Sequence, residues 1–183
     1  MTVSIAEFAA LEARVQVLVD RADITNLIDR HMISLDADHA AGVTLDEAWA
    51  RRNFTEDVRV ETPVGDHVGI GGLAESQQTA LSRFARTQHL GANHLIDLDG
   101  DRATVRWNVI MTHVHLASTQ QERGEEPGGH FDVGGTFDGE VVRTAEGWRF
   151  RRLAVRPVWF TGRPPLGLPP KGEATVKDLT GDA

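Results

Sequence analysis

The chain has 183 residues, of which 40% are hydrophobic and 25% are charged, with a net charge of −8 at pH 7 and no cysteine. This composition is typical of one globular domain, and it excludes disulfides and thiolate nucleophiles, while the negative charge without a Lys/Arg cluster argues against a nucleic-acid partner. No apolar run approaches the roughly 20 residues that cross a membrane, and the N-terminus lacks a secretion-signal pattern, so we expect a cytoplasmic protein.

The first part of the chain is predicted to be helical. Ser4 and Glu7 form a capping-box pattern, and apolar residues follow at helical spacing, so a helix should begin at about Ser4. The pattern is interrupted near residues 20–23, and a second helix is expected over about 23–37. A third, shorter helix is predicted over 46–54, with Trp49 and Phe54 facing inward. A strand at 57–62 and a helix within 71–86 come next.

The second part of the chain has β-type patterns. Two long runs, 87–99 and 101–116, meet at Asp99-Gly100, a favoured hairpin turn, and two further strands are expected after residue 130. The segment 118–129 between them is predicted to be a polar loop. Helices followed by a four-stranded meander predict an α+β domain over residues 1–160, with a curved antiparallel sheet wrapped around the N-terminal helices. Residues 161–183 form a Pro/Gly-rich tail.

The second helix carries an unusual pair of residues. His31 lies at the centre of its apolar stripe, where a leucine would serve, and Asp36 lies in its last turn, where the helix dipole disfavours a carboxylate. Taken alone, His31 is more often a core histidine, and Asp36 a surface residue.

Further candidates lie on the long strands. Alternation places His89 and Asn93 on one strand face with Gly91 between them, and it places Trp107, Met111, His113 and His115 on one face of the next strand. His130 opens the third strand, in a register that the sequence does not determine. His39, His67 and His94 are expected in loops or on the opposite face.

A metal site is the alternative interpretation of the strand histidines. His113 and His115 point the same way, and with Glu122 and His130 they faintly resemble a cupin metal site. However, Glu122 lies in a polar loop and a long helical region precedes the strands. We therefore expect neither a metal nor another cofactor.

Four segments together resemble the SnoaL-like branch of the NTF2-like superfamily, over nearly the whole chain up to about residue 160. They are "LIDRHMISLDA", "RRNFTEDVRVE", "TQHLGANHLIDLDGDRATVRW" and "GGTFDGEVVRTAEGWRF". The resemblance implies a cone in which the curved sheet wraps around the helices and leaves an apolar pocket at its open end. It also implies a homodimer.

The resemblance assigns roles to the unusual pair. In dehydratase-like members, the second helix supplies a tyrosine and, five residues later, an aspartate that pairs with a histidine of the "QH" strand. The corresponding residues here are His31, Asp36 and His89. Asp36 would then orient His89 as a general base within about 2.6 to 3.2 Å, and His31 and His113 would donate to a substrate oxygen. The substrate-binding residues expected around them are Trp49, Phe54, Asn93, Trp107, Met111, His115 and His130.

The chain also departs from these enzymes, because it contains no tyrosine to polarise a carbonyl or hydroxyl. We therefore expect a cofactor-independent dehydratase or isomerase for a small, largely apolar cyclic metabolite. A polyketide-type cyclase or an epoxide hydrolase on the same scaffold is the second hypothesis. A non-catalytic ligand-binding or accessory subunit is the third, because one fold serves several functions.

Overall fold

The computed structural model describes residues 4–63 and 65–166. Four helices and six strands follow one another in the order expected of an α+β domain. In chain order they are α1 (Ile5–Ala41), α2 (Glu47–Asn53), β1 (Phe54–Thr62), β2 (Gly65–Val68), α3 (Leu73–Leu81), β3 (Phe84–Asp99), β4 (Arg102–His115), α4 (Ala117–Arg123), β5 (His130–Thr144) and β6 (Gly147–Gly162).

Helix α1 begins at the predicted capping box, in which Ser4 Oγ accepts from the backbone N–H of Glu7. The predicted break near residues 20–23 is wrong, since α1 is a single 37-residue helix. Asp20 is buried there and forms an ion pair with Arg143, Oδ2 to NH2, at 2.7 Å. The charges in this stretch therefore attach the helix to the sheet, and no glycine or proline is present to end it.

The sheet is curved, with strand order β2-β1-β6-β5-β4-β3. Strands β3 to β6 form the predicted antiparallel meander. The sheet is mixed rather than purely antiparallel, because β1 pairs in parallel with β6. This pairing joins distant parts of the chain, and the pattern of one short strand does not specify its partner. The hairpin between β3 and β4 turns at Gly100 and Asp101, with Asp99 paired to Arg102.

Two elements were not expected. The four-residue strand β2 is too short to show a period, and α4 forms inside the predicted polar loop. The predicted tail boundary is untested, although β6 continues to Gly162, and residues 167–183 of the tail lie outside the described residues. No helix among the described residues is long and apolar enough to cross a membrane.

The buried apolar side chains form two clusters. The larger one joins α1, α2, β1 and the inner faces of the sheet, and it includes Trp49, Phe54, Trp107 and Phe150. The smaller one lies on β3, β4 and β5, and its members are Phe84, Val109, Met111, Phe131 and Val133. The candidate site lies where these clusters meet.

Candidate active site

Asp36 and His89 form a side-chain hydrogen bond across the interface between α1 and β3. His89 Nδ1 lies 2.7 Å from Asp36 Oδ1, within the range predicted from the sequence. The pair is partly shielded from solvent, because the side chain of His89 is 8% exposed and that of Asp36 is 20% exposed. Because α1 continues to Ala41, Asp36 lies more than one turn before the end of the helix, so the prediction that it lies in the last turn is wrong. Its partners come from β3.

Three donors hold the Asp36 carboxylate. Besides the ring, the backbone N–H of His89 donates to Oδ2 at 2.6 Å, and Thr87 Oγ1 donates to Oδ1 at 2.8 Å. Burial alone would raise the pKa of Asp36, but these hydrogen bonds and the charge of His89 lower it below its usual value. Asp36 is therefore an ionised, fixed acceptor. Sequence reasoning missed Thr87, although its place two residues before His89 puts both on one strand face.

The carboxylate determines the tautomer of His89. An ionised Asp36 can only accept, so Nδ1 of His89 carries the proton and donates it. In the neutral ring, Nε2 then holds a lone pair, and no side chain of residues 4–63 or 65–166 hydrogen-bonds to it. The pair accordingly leaves His89 with one nitrogen available to take up a proton.

His31 is buried among aromatic rings. Its ring centroid lies 5.2 Å from that of Phe54, 5.7 Å from Phe150 and 5.8 Å from Trp49. Burial, together with the charge of His89, lowers the pKa of His31 to about 3. Its Nδ1 has no hydrogen-bond partner among the described residues. His31 is therefore a neutral imidazole with an unused polar atom inside the apolar core.

His113 stands beside His89 on the neighbouring strand. The two rings are perpendicular, with centroids 5.6 Å apart. Burial and the charge of His89 lower the pKa of His113 to about 4, despite an opposing hydrogen bond to the backbone carbonyl of Phe131. Since Nδ1 donates to that carbonyl at 3.0 Å, Nε2 of the neutral ring is an acceptor. The geometry therefore corrects the expectation that His113 donates a hydrogen bond.

The expected aromatic lining surrounds these histidines. Trp49, Phe54 and Trp107 belong to the larger cluster beside His31, and Met111 belongs to the smaller one. His113 contacts two rings of the smaller cluster, with Phe84 at 4.5 Å and Phe131 at 6.1 Å. Phe84, Phe131 and Phe150 were not singled out from the sequence, although strand alternation would have placed Phe131 and Phe150 inward.

Gly91 makes room for the indole of Trp107. A Cβ atom at position 91 would lie 3.1 Å from Cδ1 and 3.4 Å from Nε1 of that ring. The buried Nε1 has no hydrogen-bond partner in the described part of the chain. The unpaired N–H group of the Trp107 indole therefore lies beside Gly91, two residues after His89 on the same strand.

A β-bulge displaces Asn93 from the site. Ala92 pairs with Asn108 and Leu95 with Arg106, so Asn93 and His94 together oppose Trp107. Asn93 adopts a φ of 60° and is exposed, and its side chain accepts from Asn108 Nδ2. The bulge turns His94 inward, with its ring 6.4 Å from that of Trp107. Both placements differ from the prediction, because strict alternation does not anticipate an extra residue.

His115 and His130 also differ from their expected roles. His115 is buried, and both of its ring nitrogens are engaged, Nδ1 with Glu125 Oε2 at 2.8 Å and Nε2 with the carbonyl of Arg163 at 2.9 Å. The side chain of His130 is 52% exposed and lies 3.3 Å from Asp132. His115 is held by Glu125, which follows α4, and by the chain after β6. His130 lies at the start of β5, at the surface.

The described residues contain no group of three His, Cys, Asp or Glu side chains that would hold a metal ion. Two clefts of the described residues lie elsewhere, one on the sheet around Arg106 and one beside Phe8 on α1. The cavity predicted between His31, Trp107, Met111 and His113 therefore stays a prediction.

Comparison with known families identifies this arrangement. The family model of the SnoaL-like domain matches residues 16–154, which include most of α1, the Asp36–His89 pair and most of the sheet. The chain belongs to the SnoaL-like family. This confirms the resemblance seen in the sequence and the NTF2-like cone that it implied. A comparison with curated protein sequences gave no match.

Solved structures of the same fold are similar to this SnoaL-like protein. The Kfla4162 protein from Kribbella flavida is 24% identical, with a TM-score of 0.68 over 79% of this chain and 95% of that one. A candidate scytalone dehydratase from Novosphingobium aromaticivorans is 24% identical, with a TM-score of 0.66 over 86% and 97%. Hexachlorocyclohexane dehydrochlorinase LinA-type3 from Novosphingobium barchaimii is 18% identical, with a TM-score of 0.64 over 82% and 94%. At these identities, the similarity shows the fold.

Proposed function

We propose that this SnoaL-like protein is a cofactor-independent acid/base enzyme, a dehydratase or isomerase, which acts on a small, largely apolar cyclic metabolite. The observation that carries the proposal is the Asp36–His89 pair, which leaves Nε2 of His89 without a hydrogen bond near the two clusters of buried apolar side chains. A histidine oriented in this way can serve as a general base.

The first step is the removal of a proton from a carbon next to a carbonyl group. Nε2 of His89 takes this proton, and the C–H electron pair moves into an enolate. Asp36 stabilises the resulting imidazolium through the 2.7 Å hydrogen bond from Nδ1. The three donors that fix Asp36 keep the ring in the orientation that this step requires.

The second step determines whether the reaction is a dehydration or an isomerisation. In a dehydration, the enolate forms a C=C bond as the C–O bond to a β-hydroxyl group breaks, and His89 gives its proton to the leaving oxygen to form water. In an isomerisation, His89 returns the proton to a different carbon. Both routes restore neutral His89 and involve no change in oxidation state, so acid/base chemistry alone completes them.

The enolate oxygen requires hydrogen-bond donors, and the chain has no tyrosine to supply them. His31 and Trp107 each hold a buried ring nitrogen without a partner among the described residues. A substrate oxygen near them would gain a hydrogen bond that the protein leaves unused. His113 has a different role, because its accepting Nε2 suits a substrate hydroxyl group.

The surroundings indicate the class of substrate. The rings and aliphatic groups that flank the three histidines would exclude water and bind a compact apolar molecule. The names of the similar structures, a candidate scytalone dehydratase and a hexachlorocyclohexane dehydrochlorinase, describe eliminations. These names are consistent with the proposed chemistry and do not identify the substrate of this protein.

A deuterium-exchange screen tests the proposed function. Cyclic ketones with and without a β-hydroxyl group would be incubated with the protein in D₂O, with ¹H NMR to follow exchange next to the carbonyl and absorbance to follow enone formation. We expect exchange, or loss of water, for at least one ring size. A probe that binds against His89 in a crystal structure and yet shows neither reaction would contradict the proposal.

A further inference from the structure

The first part of α1 is an arm that projects from the domain. Every residue from Ser4 to Val19 is exposed, whereas Asp20 and the inner stripe beyond it are buried. At about 1.5 Å per residue the exposed helical part, residues 5–19, is about 22 Å long. Despite its exposure it carries large apolar side chains, and Ile5, Phe8, Leu11, Val15 and Leu18 form a stripe along one face. Val17 and Val19 are exposed as well. A run of exposed apolar side chains on one face of a helix is typical of an interaction surface.

The apolar stripe of the arm faces away from the protein's own domain. At about 100° per residue, its mean direction differs by roughly 160° from that of the buried stripe of α1, which includes Ile24, Ile28 and Leu35. The two stripes thus lie on nearly opposite sides of one continuous helix. The arm therefore does not extend the internal core that the described residues form.

The spacing of the stripe is that of a coiled-coil seam. Phe8, Leu11, Val15 and Leu18 alternate steps of three and four residues, as a and d positions do. We propose that the arm pairs with the same arm of a second copy of this chain, antiparallel, about an axis near residue 13. Phe8 then packs against Leu18 of the second copy, and Leu11 against its Val15.

The charges beside the seam favour the antiparallel direction. In that arrangement Glu7 of each copy lies beside Arg21 of the other, so the dimer contains two opposite-charge contacts. It also contains two like-charge contacts, because Arg14 lies beside Arg14 of the second copy and Glu12 beside its Glu12. A parallel pair would instead place Glu7 beside Glu12 of the other copy at both sides of the seam. The antiparallel dimer thus has two opposite-charge contacts and two like-charge contacts, whereas the parallel dimer has like-charge contacts alone, so the charges favour antiparallel arms.

The shape of the protein also permits this pairing. The domain begins at Asp20, which the ion pair with Arg143 attaches to the sheet. With the axis near residue 13, the two domains lie at opposite ends of the paired arms and do not overlap. A parallel pair would bring both domains to the same end.

Sedimentation equilibrium of the full chain tests the interface. We expect a dimer for the natural sequence, a monomer for Leu11→Glu, and a dimer for the matched control Ala13→Glu, which places the same charge on the other side of the arm. Circular dichroism would verify that all three are folded, as expected for exposed positions. A monomeric natural sequence, or a Leu11→Glu variant that remains dimeric, would overturn the proposal.

Disulfide trapping tests the direction, since the chain has no natural cysteine to interfere. Under mild oxidation, Arg14→Cys should form a covalent dimer across the axis, and Leu18→Cys alone should not. A mixture of Phe8→Cys and Leu18→Cys chains should form the mixed dimer. A covalent dimer of Leu18→Cys alone, together with none for Arg14→Cys, would show parallel arms and overturn the proposed arrangement.

Discussion

The rings of His89 and His113 lie perpendicular to each other, with centroids 5.6 Å apart. A positive charge on His89 therefore disfavours one on His113, and this charge is the second cause, after burial, of the pKa of about 4 at His113. We predict that His89→Gln raises the pKa of His113, measured by NMR titration of the ring. The control His130→Gln should leave the pKa of His113 unchanged, because His130 lies at the surface. An equal change of this pKa in the two variants would contradict an electrostatic interaction between His89 and His113.

Replacement of the orienting carboxylate tests the tautomer. Asp36→Asn keeps the shape of the side chain, but its amide can donate to Nδ1 and so favours the proton on Nε2 of His89. We predict a folded protein in which ¹⁵N chemical shifts report this tautomer and proton abstraction falls by about 10² to 10⁴. Thr87→Val should have a smaller effect, since two donors to Asp36 remain. An unchanged tautomer in Asp36→Asn would show that Asp36 does not set it.

His31 should make folding stability depend on pH. Its pKa is about 3 in the folded protein, against an ordinary value of 6.5, so between these pH values the unfolded chain binds more protons and stability falls as the pH falls. On this basis, lowering the pH from 7 to 5 costs about 2 kcal/mol through His31. We predict that His31→Phe removes this part of the loss, as measured by urea unfolding at both pH values.

The same variant separates the two roles of His31. If His31 donates to the substrate oxygen, as we propose, His31→Phe should also slow the reaction by about 10² to 10³. A purely structural histidine would change stability and leave the rate nearly unchanged. The control His130→Phe should alter neither quantity, because that ring is largely exposed.

Gly91 should be required for the position of Trp107. A Cβ at this position would lie 3.1 Å from Cδ1 of the indole, so Gly91→Ala must displace the ring and should cost about 1 to 3 kcal/mol in the free energy of unfolding. Gly71→Ala is the matched control, since a Cβ there meets no atom within 4 Å. Equal stabilities of the two variants in denaturant would show that the indole gives way without cost.

The parts predicted correctly from the sequence depended on local chemistry. The cap at Ser4, the alternation that buries Trp107 and Met111, and the meander each follow from patterns within one or two elements. The proximity of Asp36 and His89 is not local, and the family resemblance supplied it. Residue spacing alone does not place one helix residue against one strand position.

The errors arose where distant parts of the chain or a change of register decide the structure. The bulge at Asn93 reverses the faces of Asn93 and His94, and nothing in a two-residue period signals it. His115 has the inward position that alternation predicted, but Glu125 and the carbonyl of Arg163 occupy its nitrogens. The break expected near Asp20 was inferred without its partner Arg143, which lies more than 100 residues further along the chain.

The most direct test of the account is the exchange rate of His89→Ala with a ketone that the natural protein deuterates in D₂O. We predict that this variant binds the probe and loses nearly all exchange, while His67→Ala, at a histidine whose ring bonds to Gly71 away from the site, retains it. The free base Nε2 of His89 is the group that the mechanism requires. Exchange by folded His89→Ala at nearly the natural rate would contradict the account.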